Sequence, residues 1–290
     1  AIGRGGQGAR RILTISVWPR LARRDSTGGM IHSKDIELAQ RLADAAGEAI
    51  RPFYRSHFTT DRKADASPVT EADRAAEAAM RAILDAEAPR DGVIGEEYGE
   101  KPGTTGRVWV LDPIDGTTSF IAGRPIFGTL IALIAEEWPV LGVIDQPIGR
   151  ERWVGATGRG TTFNGQPVKA RLCPEIEDAV LATTSPHLFS DHDAMHFMAL
   201  AKQCDTRRLI WGGDCYNYAL VAQGSVDLVC ESGLKLHDFA ALVPVVEGAG
   251  GHMCDWNGDP LHKGSDGRVV AMGDPARLED VLAALAQHDH

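Results

Sequence analysis

No apolar run in these 290 residues approaches the ~18 positions a membrane-spanning helix requires, so no membrane partner is expected. Cysteine is scarce: Cys173, Cys204, Cys215, Cys230 and Cys254 are odd in number, widely spaced and form no C-x-x-C pair. A disulfide framework is thereby excluded and a thiolate zinc site disfavoured, so the five read as buried or half-buried thiols in a reducing, cytoplasmic setting. Positive charge is also in deficit. A formal net charge of -10 argues against a nucleic-acid partner held by general electrostatics. An acidic chain can still bind a phosphate where local cations offset the charge. Repeats and low-complexity tracts are missing beyond the N-terminal segment, residues 1–29. That segment carries six arginines against Asp25 alone and has no helical apolar face. It reads as a disordered or non-native extension ahead of Met30, with a transit-like segment as the alternative.

What is present is an ordinary globular composition, 43% hydrophobic and 24% charged, long enough for two subdomains or one large α/β unit. Apolar residues recur at helical spacing through Ile36, Ala39, Leu42, Ala46, Ile50 and Phe53, and again from Thr70 to Glu87. Strand-like runs follow at Val108–Leu111, Gly128–Ile134 and Val140–Ile144, then a hairpin over Arg152–Val168 turning at Asn164-Gly165. Beyond Ala170 strands and helices alternate, which predicts an α/β layer after an α+β first half. The expected division is an α+β subdomain over 30–169 and an α/β subdomain over 170–290, with a site between them.

Carboxylates concentrate where predicted elements end. Glu96 lies in Gly95-Glu96-Glu97, Asp112 and Asp115 in Leu111-Asp112-Pro113-Ile114-Asp115-Gly116-Thr117-Thr118, Asp238 in Leu236-His237-Asp238-Phe239, and Asp73 in Thr70-Glu71-Ala72-Asp73. An apolar strand delivers Asp112 to a sheet edge, Pro113 is expected to stop the ladder, and Asp115 lies a short turn away. Those carboxylates and the Ile114 carbonyl suit a hard cation such as Mg2+. Gly116 permits close backbone approach, and Thr117-Thr118 can open a helix whose N–H groups face an anion. Two bland alternatives stand beside these readings. A D-P-x-D-G stretch can be a polar turn, and Thr70-x-x-Asp73 fits a capping box in which Asp73 only bonds back to the Thr70 amide. His192 and His196 stand at i, i+4, but the run is polar and both read as surface residues.

The blocks G-E-E, W-V-L-D-P-I-D-G-T-T-S-F and H-D-F-A-A…E-G-A-G-G, in this order from Ile36 to the C-terminus, resemble the inositol monophosphatase superfamily. The resemblance implies a layered α/β/α/β/α sandwich with its metal site between two subdomains, and two or three Mg2+ per site, replaceable by Mn2+. It implies that Glu96, Asp112 and the Ile114 carbonyl hold one ion and that Asp112, Asp115 and Asp238 hold a second. Asp73 and Thr117 would position the attacking water, with Glu96 also among the catalytic residues. The Gly116 and Thr117 amides, with Thr118, would grip the phosphate. Lys63 occupies a place where the family often has a basic residue, though a solvated lysine is the alternative. The reaction implied is in-line hydrolysis of a phosphate monoester without a phosphoenzyme, in a protein that is commonly a homodimer.

Where many superfamily members have Trp-Asp, this chain has His237-Asp238. With W-G-G-D-C-Y at Trp211–Tyr216 and E-S-G-L-K at Glu231–Lys235, it resembles the histidinol-phosphate phosphatase branch. Histidinol carries an ammonium and an imidazole, so carboxylates at Asp214 or Glu231 could bind it. Asp214 could equally be the N-cap of the helix it opens. Histidinol phosphate is the first expectation, inositol monophosphate the second and other sugar phosphates the third. The alternative of another class, a regulatory binding protein on the same fold, would predict a damaged site or an added basic surface.

Overall fold

The computed structural model describes residues 31–57, 60–62 and 68–286, so the N-terminal segment lies outside the described residues. In chain order the elements are α1 (Ser33–Ile50), β1 (Thr60–Arg62), β2 (Pro68–Thr70), α2 (Glu71–Glu87), β3 (Gly92–Gly95), β4 (Gly99–Lys101), β5 (Arg107–Asp115) and α3 (Thr117–Ile121). Then come β6 (Gly128–Ala135), β7 (Trp138–Gln146), β8 (Glu151–Ala156), β9 (Gly160–Phe163), β10 (Gln166–Val168), β11 (Leu181–Thr183), α4 (Asp191–Gln203) and β12 (Leu209–Trp211). The chain closes with α5 (Asp214–Ala222), β13 (Leu228–Glu231), α6 (Leu236–Phe239), α7 (Leu242–Gly248), β14 (His252–Cys254), β15 (Val269–Met272) and α8 (Leu278–Leu285).

Two sheets carry the architecture. An eight-stranded sheet runs β10-β9-β8-β7-β6-β5-β3-β4, antiparallel except where β3 lies parallel to β5. A five-stranded sheet runs β12-β11-β13-β15-β14, with parallel pairing around β11. The period of two along each strand decides what each face meets. Trp109 and Leu111 of β5 join Leu42 and Ala46 of α1 and Ala76 and Met80 of α2 in one core. Val110, one residue out of phase, belongs to a second core with Tyr218 of α5, Phe239 of α6, Val245 of α7 and Val229 of the smaller sheet. The outer face of that sheet packs Leu181, Leu228 and Val270 against Phe197 and Leu200 of α4 and Val281 of α8. The order of layers is therefore α, β, α, β, α, as the resemblance implied.

Several local expectations shift. The Arg152–Val168 hairpin is three strands, because a second turn separates β8 from β9. Asn164 and Gly165 both have positive φ, 47° and 79°, as the two-residue turn between β9 and β10 requires. Between β13 and β14 the alternation gives two short helices, α6 and α7, rather than one. Pro244 has no N–H to give the Ala240 carbonyl, so it sits in the first turn of a new helix rather than inside an old one. All five cysteines are buried free thiols.

Candidate metal centre and active site

Asp112 shares the strand phase of Val110, so its side chain enters the middle layer, where it is 2% exposed. Pro113 does not end β5 as expected. The ladder with β6 slips between Asp112 and Asp115, then resumes with Asp115 opposite Gly128. Such a bulge lets the strand carry a proline and re-aims the side chains after it. The Pro113 carbonyl accepts a 2.8 Å bond from Thr129 Oγ1, and Asp112 Oδ1 accepts the Ile114 amide at 3.1 Å. Past the bulge, Gly116 takes φ 85° and ends the strand, and the Thr117 hydroxyl donates to the Ile114 carbonyl at 3.1 Å. Thr118 is exposed on the first turn of the short α3.

Other elements bring further acids to the same place. Glu96 follows β3, its amide donating to the Leu111 carbonyl at 3.1 Å, so it lies beside the end of β5. Asp238 stands in α6, with Oδ2 accepting the Lys235 amide at 2.6 Å. Asp115 Oδ2 accepts the Cys215 amide at 2.6 Å, which ties the bulge to α5. Potential ligand atoms of Asp112, Asp115 and Asp238 all lie within 4.8 Å of one another, and so do those of Glu96, Asp112 and His237.

The electrostatics of this gathering are costly without a cation. Burial pushes the Asp112 carboxyl well above the usual range, and the charges of Glu96, Asp115 and Asp238 push the same way. Asp115 is raised by burial and by Asp214 and Asp238. Asp238 is raised by burial, against a partial offset from His237.

Asp73 fills the capping role and leaves one carboxylate oxygen over. Its Oδ2 accepts the Thr70 amide at 2.7 Å, completing the capping box of α2. Its Oδ1 is buried and has no hydrogen-bond donor among the described residues. Burial, with the charges of Glu97 and Glu96 adding to it, raises this carboxyl to about 6. A fully buried carboxylate oxygen left without a partner beside Glu96 is what a site for a cation or its water would leave. The donor set, oxygens with one imidazole, fits a divalent cation.

Asp214 is not the N-cap. Gly213 holds that place, and Asp214 is the first residue of α5, with φ 44°. Its carboxylate accepts Ser119 Oγ at 3.2 Å and abuts Gly116, where an added Cβ would sit 2.6 Å from Asp214 Oδ2. Glycine is required at 116 both by its φ and by this contact. Burial raises Asp214, opposed by the Ser119 hydrogen bond and the charge of Arg124. Glu231 ends β13, accepts the Thr184 amide at 2.5 Å and is raised by burial to about 7.

Lys63 lies outside the described residues. His196 is buried rather than on the surface: its Nδ1 lies 2.5 Å from the Leu285 carbonyl and its Nε2 lies 3.1 Å from Nε2 of His192. Sequence reasoning missed His237 as a neighbour of Glu96 and Asp112. The signal was its place before Asp238, where it was read only as a mark of substrate class. It also missed Ser119, which fixes Asp214, and the buried Tyr218 hydroxyl, which has no hydrogen-bond partner among the described residues.

Five alternating layers with an acid cluster in the middle one, opened by a strand bulge, define a metal-dependent phosphatase. Residues 32–290 match the model of the inositol monophosphatase family, and the chain belongs to that family. It is 48% identical over 256 residues to the bifunctional phosphatase IMPL2, chloroplastic, of Arabidopsis thaliana, covering 85% of this chain and 73% of that protein. It is 37% identical over 252 residues to the histidinol-phosphatase of Chlorobaculum parvum, covering 87% and 96%. Among solved structures, an inositol monophosphatase from Zymomonas mobilis superposes with a TM-score of 0.81 at 54% identity, covering 89% of this chain and 99% of that one. No helix among the described residues is long and apolar enough to cross a membrane.

Proposed function

We propose that the chain hydrolyses histidinol phosphate to histidinol and inorganic phosphate, with Mg2+ held by Glu96, Asp112, the Ile114 carbonyl, Asp115 and Asp238. The observation that carries the substrate is a pair of acids, half-buried Asp214 and buried Glu231. Asp214 abuts Gly116 of the phosphate turn, and Glu231 lies near enough to Asp214 for that charge to add to its own raised pKa. Such a wall favours a substrate whose leaving group is cationic, as histidinol's ammonium is, over a neutral polyol. The names of the histidinol-phosphatase relatives support the same choice.

Bound divalent cations would neutralise the phosphoryl oxygens and lower the pKa of the attacking water. The chain's own residues do the rest. Thr70 pins Asp73 through Oδ2, leaving Oδ1 to accept a hydrogen from the water and orient it. Thr117 holds the Ile114 carbonyl in place through its hydroxyl. The Gly116 and Thr117 amides, with Thr118 alongside, grip the phosphoryl oxygens. The water oxygen bonds to phosphorus as the ester P–O bond breaks; the water releases one proton, by way of Asp73 Oδ1, to solvent, and the departing histidinol oxygen takes a proton from solvent.

Hydrolysis of inositol 1-phosphate is the second reading, favoured by the Zymomonas neighbour, an inositol monophosphatase. The two are separated by kcat/KM on both esters for the wild type and Asp214→Asn. The account expects a preference for histidinol phosphate of at least tenfold in the wild type, shrinking in the variant mainly through KM. Equal rates on both esters, or an unchanged preference in the variant, would make Asp214 a merely structural residue and the second reading the better one.

A further inference from the structure

One member of the acid cluster is not an acid. His237 and Asp238 are consecutive in the first turn of α6, yet they serve different groupings. Asp238 converges with Asp112 and Asp115, whereas a ring nitrogen of His237 converges with carboxylate oxygens of Glu96 and Asp112, all three atoms within 4.8 Å. Its ring is largely buried, with the side chain 13% exposed. His237 Nε2 also lies 3.5 Å from Asp238 Oδ1, so this residue stands near both groupings. Asp73, whose buried Oδ1 has no hydrogen-bond partner among the described residues, feels the charge of Glu96 in the same trio.

An imidazole changes what such a site prefers. Mg2+ favours oxygen ligands at near-ideal octahedral geometry, while neutral imidazole nitrogen suits Mn2+, Zn2+ and other transition ions better than it suits Mg2+.

We propose that His237 is a direct nitrogen ligand of the cation shared by Glu96 and Asp112, and that it tilts this position from Mg2+ toward Mn2+ and related transition ions. The proposal rests on the metal-centre reading of the previous subsection. It adds a ligand to that centre, and a chemical consequence that none of the carboxylates would produce.

The test uses Mn2+ as the probe on the full chain, without substrate. Pulsed electron paramagnetic resonance reads whether a histidine 14N is bonded to the ion, and competition titrations give the Mn2+ to Mg2+ affinity ratio. The wild type should show a directly bonded 14N coupling. In His237→Phe the coupling should vanish and the affinity ratio should fall about tenfold, a typical size for loss of one site-shaping partner. His237→Asn keeps a small polar side chain and should give the same result if the phenylalanine variant does not fold. Mn2+ bound by the wild type with no 14N coupling would overturn the proposal while leaving the metal centre standing. A coupling or ratio that survives either folded variant would overturn it too. If the wild type bound no Mn2+ or Mg2+, the metal-centre reading would fall and the proposal with it.

Discussion

Asp112 stands where a carboxylate is costliest, 2% exposed and facing other acids, and it is there because strand phase puts it on the inner face of β5. That cost is a testable property of the metal-free protein. Asp112→Asn keeps an oxygen to accept the Ile114 amide while removing a charge from the cluster. Differential scanning calorimetry in chelator should show Tm raised by about 2–5 °C over the wild type, and added Mg2+ should then stabilise the variant far less than the wild type. An unchanged or lowered Tm in chelator would mean the acids do not repel as described. Glu231 gives a pH signature of its own. Its folded pKa is raised from 4.5 to about 7, so the stability tied to its protonated form is complete below 4.5 and lost as pH rises through 7. Denaturant titrations from pH 4 to 8 should show Glu231→Gln, which can still accept the Thr184 amide, missing part of that decline, of order 1–3 kcal/mol. Identical pH profiles for variant and wild type would contradict the assignment. At this scale the D-P-I-D-G-T block was legible because few other roles demand two acids around a proline with a glycine after them. Asp73 was legible only as a choice between cap and site, since both follow from one position three residues into a helix, and the structure shows the cap through Oδ2 while Oδ1 has no hydrogen-bond partner among the described residues. His237 was not legible as a neighbour of Glu96 and Asp112, because both are far away in sequence and meet only through the parallel pairing of β3 with β5.

Elements place these side chains through close backbone contact. α7 continues from α6, which bears His237 and Asp238, and it lies against β7 and β8 at two glycines. A Cβ at Gly142 would fall 1.9 Å from the Ala241 carbonyl oxygen, and one at Gly155 would fall 2.2 Å from that of Pro244. Gly142→Ala should therefore push the helix pair outward. We expect a loss of about 1–3 kcal/mol of stability in urea denaturation and weaker Mg2+ binding by calorimetry. A variant as stable as the wild type, with unchanged Mg2+ affinity, would show that this contact does not seat α6. The helix and strand periods were clear in the sequence, and α1 buries the expected Ala39, Leu42, Ala46 and Ile50. The β5 bulge and the α6–α7 break were not clear. Both turn on a proline, and a proline alone does not reveal whether a chain stops, slips its register or starts a new helix.

Across the whole molecule, the site exists because the middle layer is shared. Glu96, Asp112 and Asp115 come from the large sheet, while Asp214, Glu231 and Asp238 come from α5, the small sheet and α6. The layer order was accessible only through the family resemblance, since element alternation alone leaves the stacking of two sheets open. The homodimer expected from that resemblance is checked by sedimentation at micromolar concentration, where a mass near twice 31.2 kDa agrees and the single-chain mass does not. This shared layer is expected to hold the cations on which phosphate release depends. The direct measurement is the initial rate of phosphate release from histidinol phosphate by the wild type and Asp112→Asn, in chelator and then after Mg2+ is restored. Chelator should abolish turnover, Mg2+ should restore it fully in the wild type, and a folded Asp112→Asn should run at least ~1,000-fold slower, consistent with loss of electrostatic stabilisation at the reacting phosphate. Turnover that persists in chelator, or in the variant at near wild-type rate, would contradict this expectation.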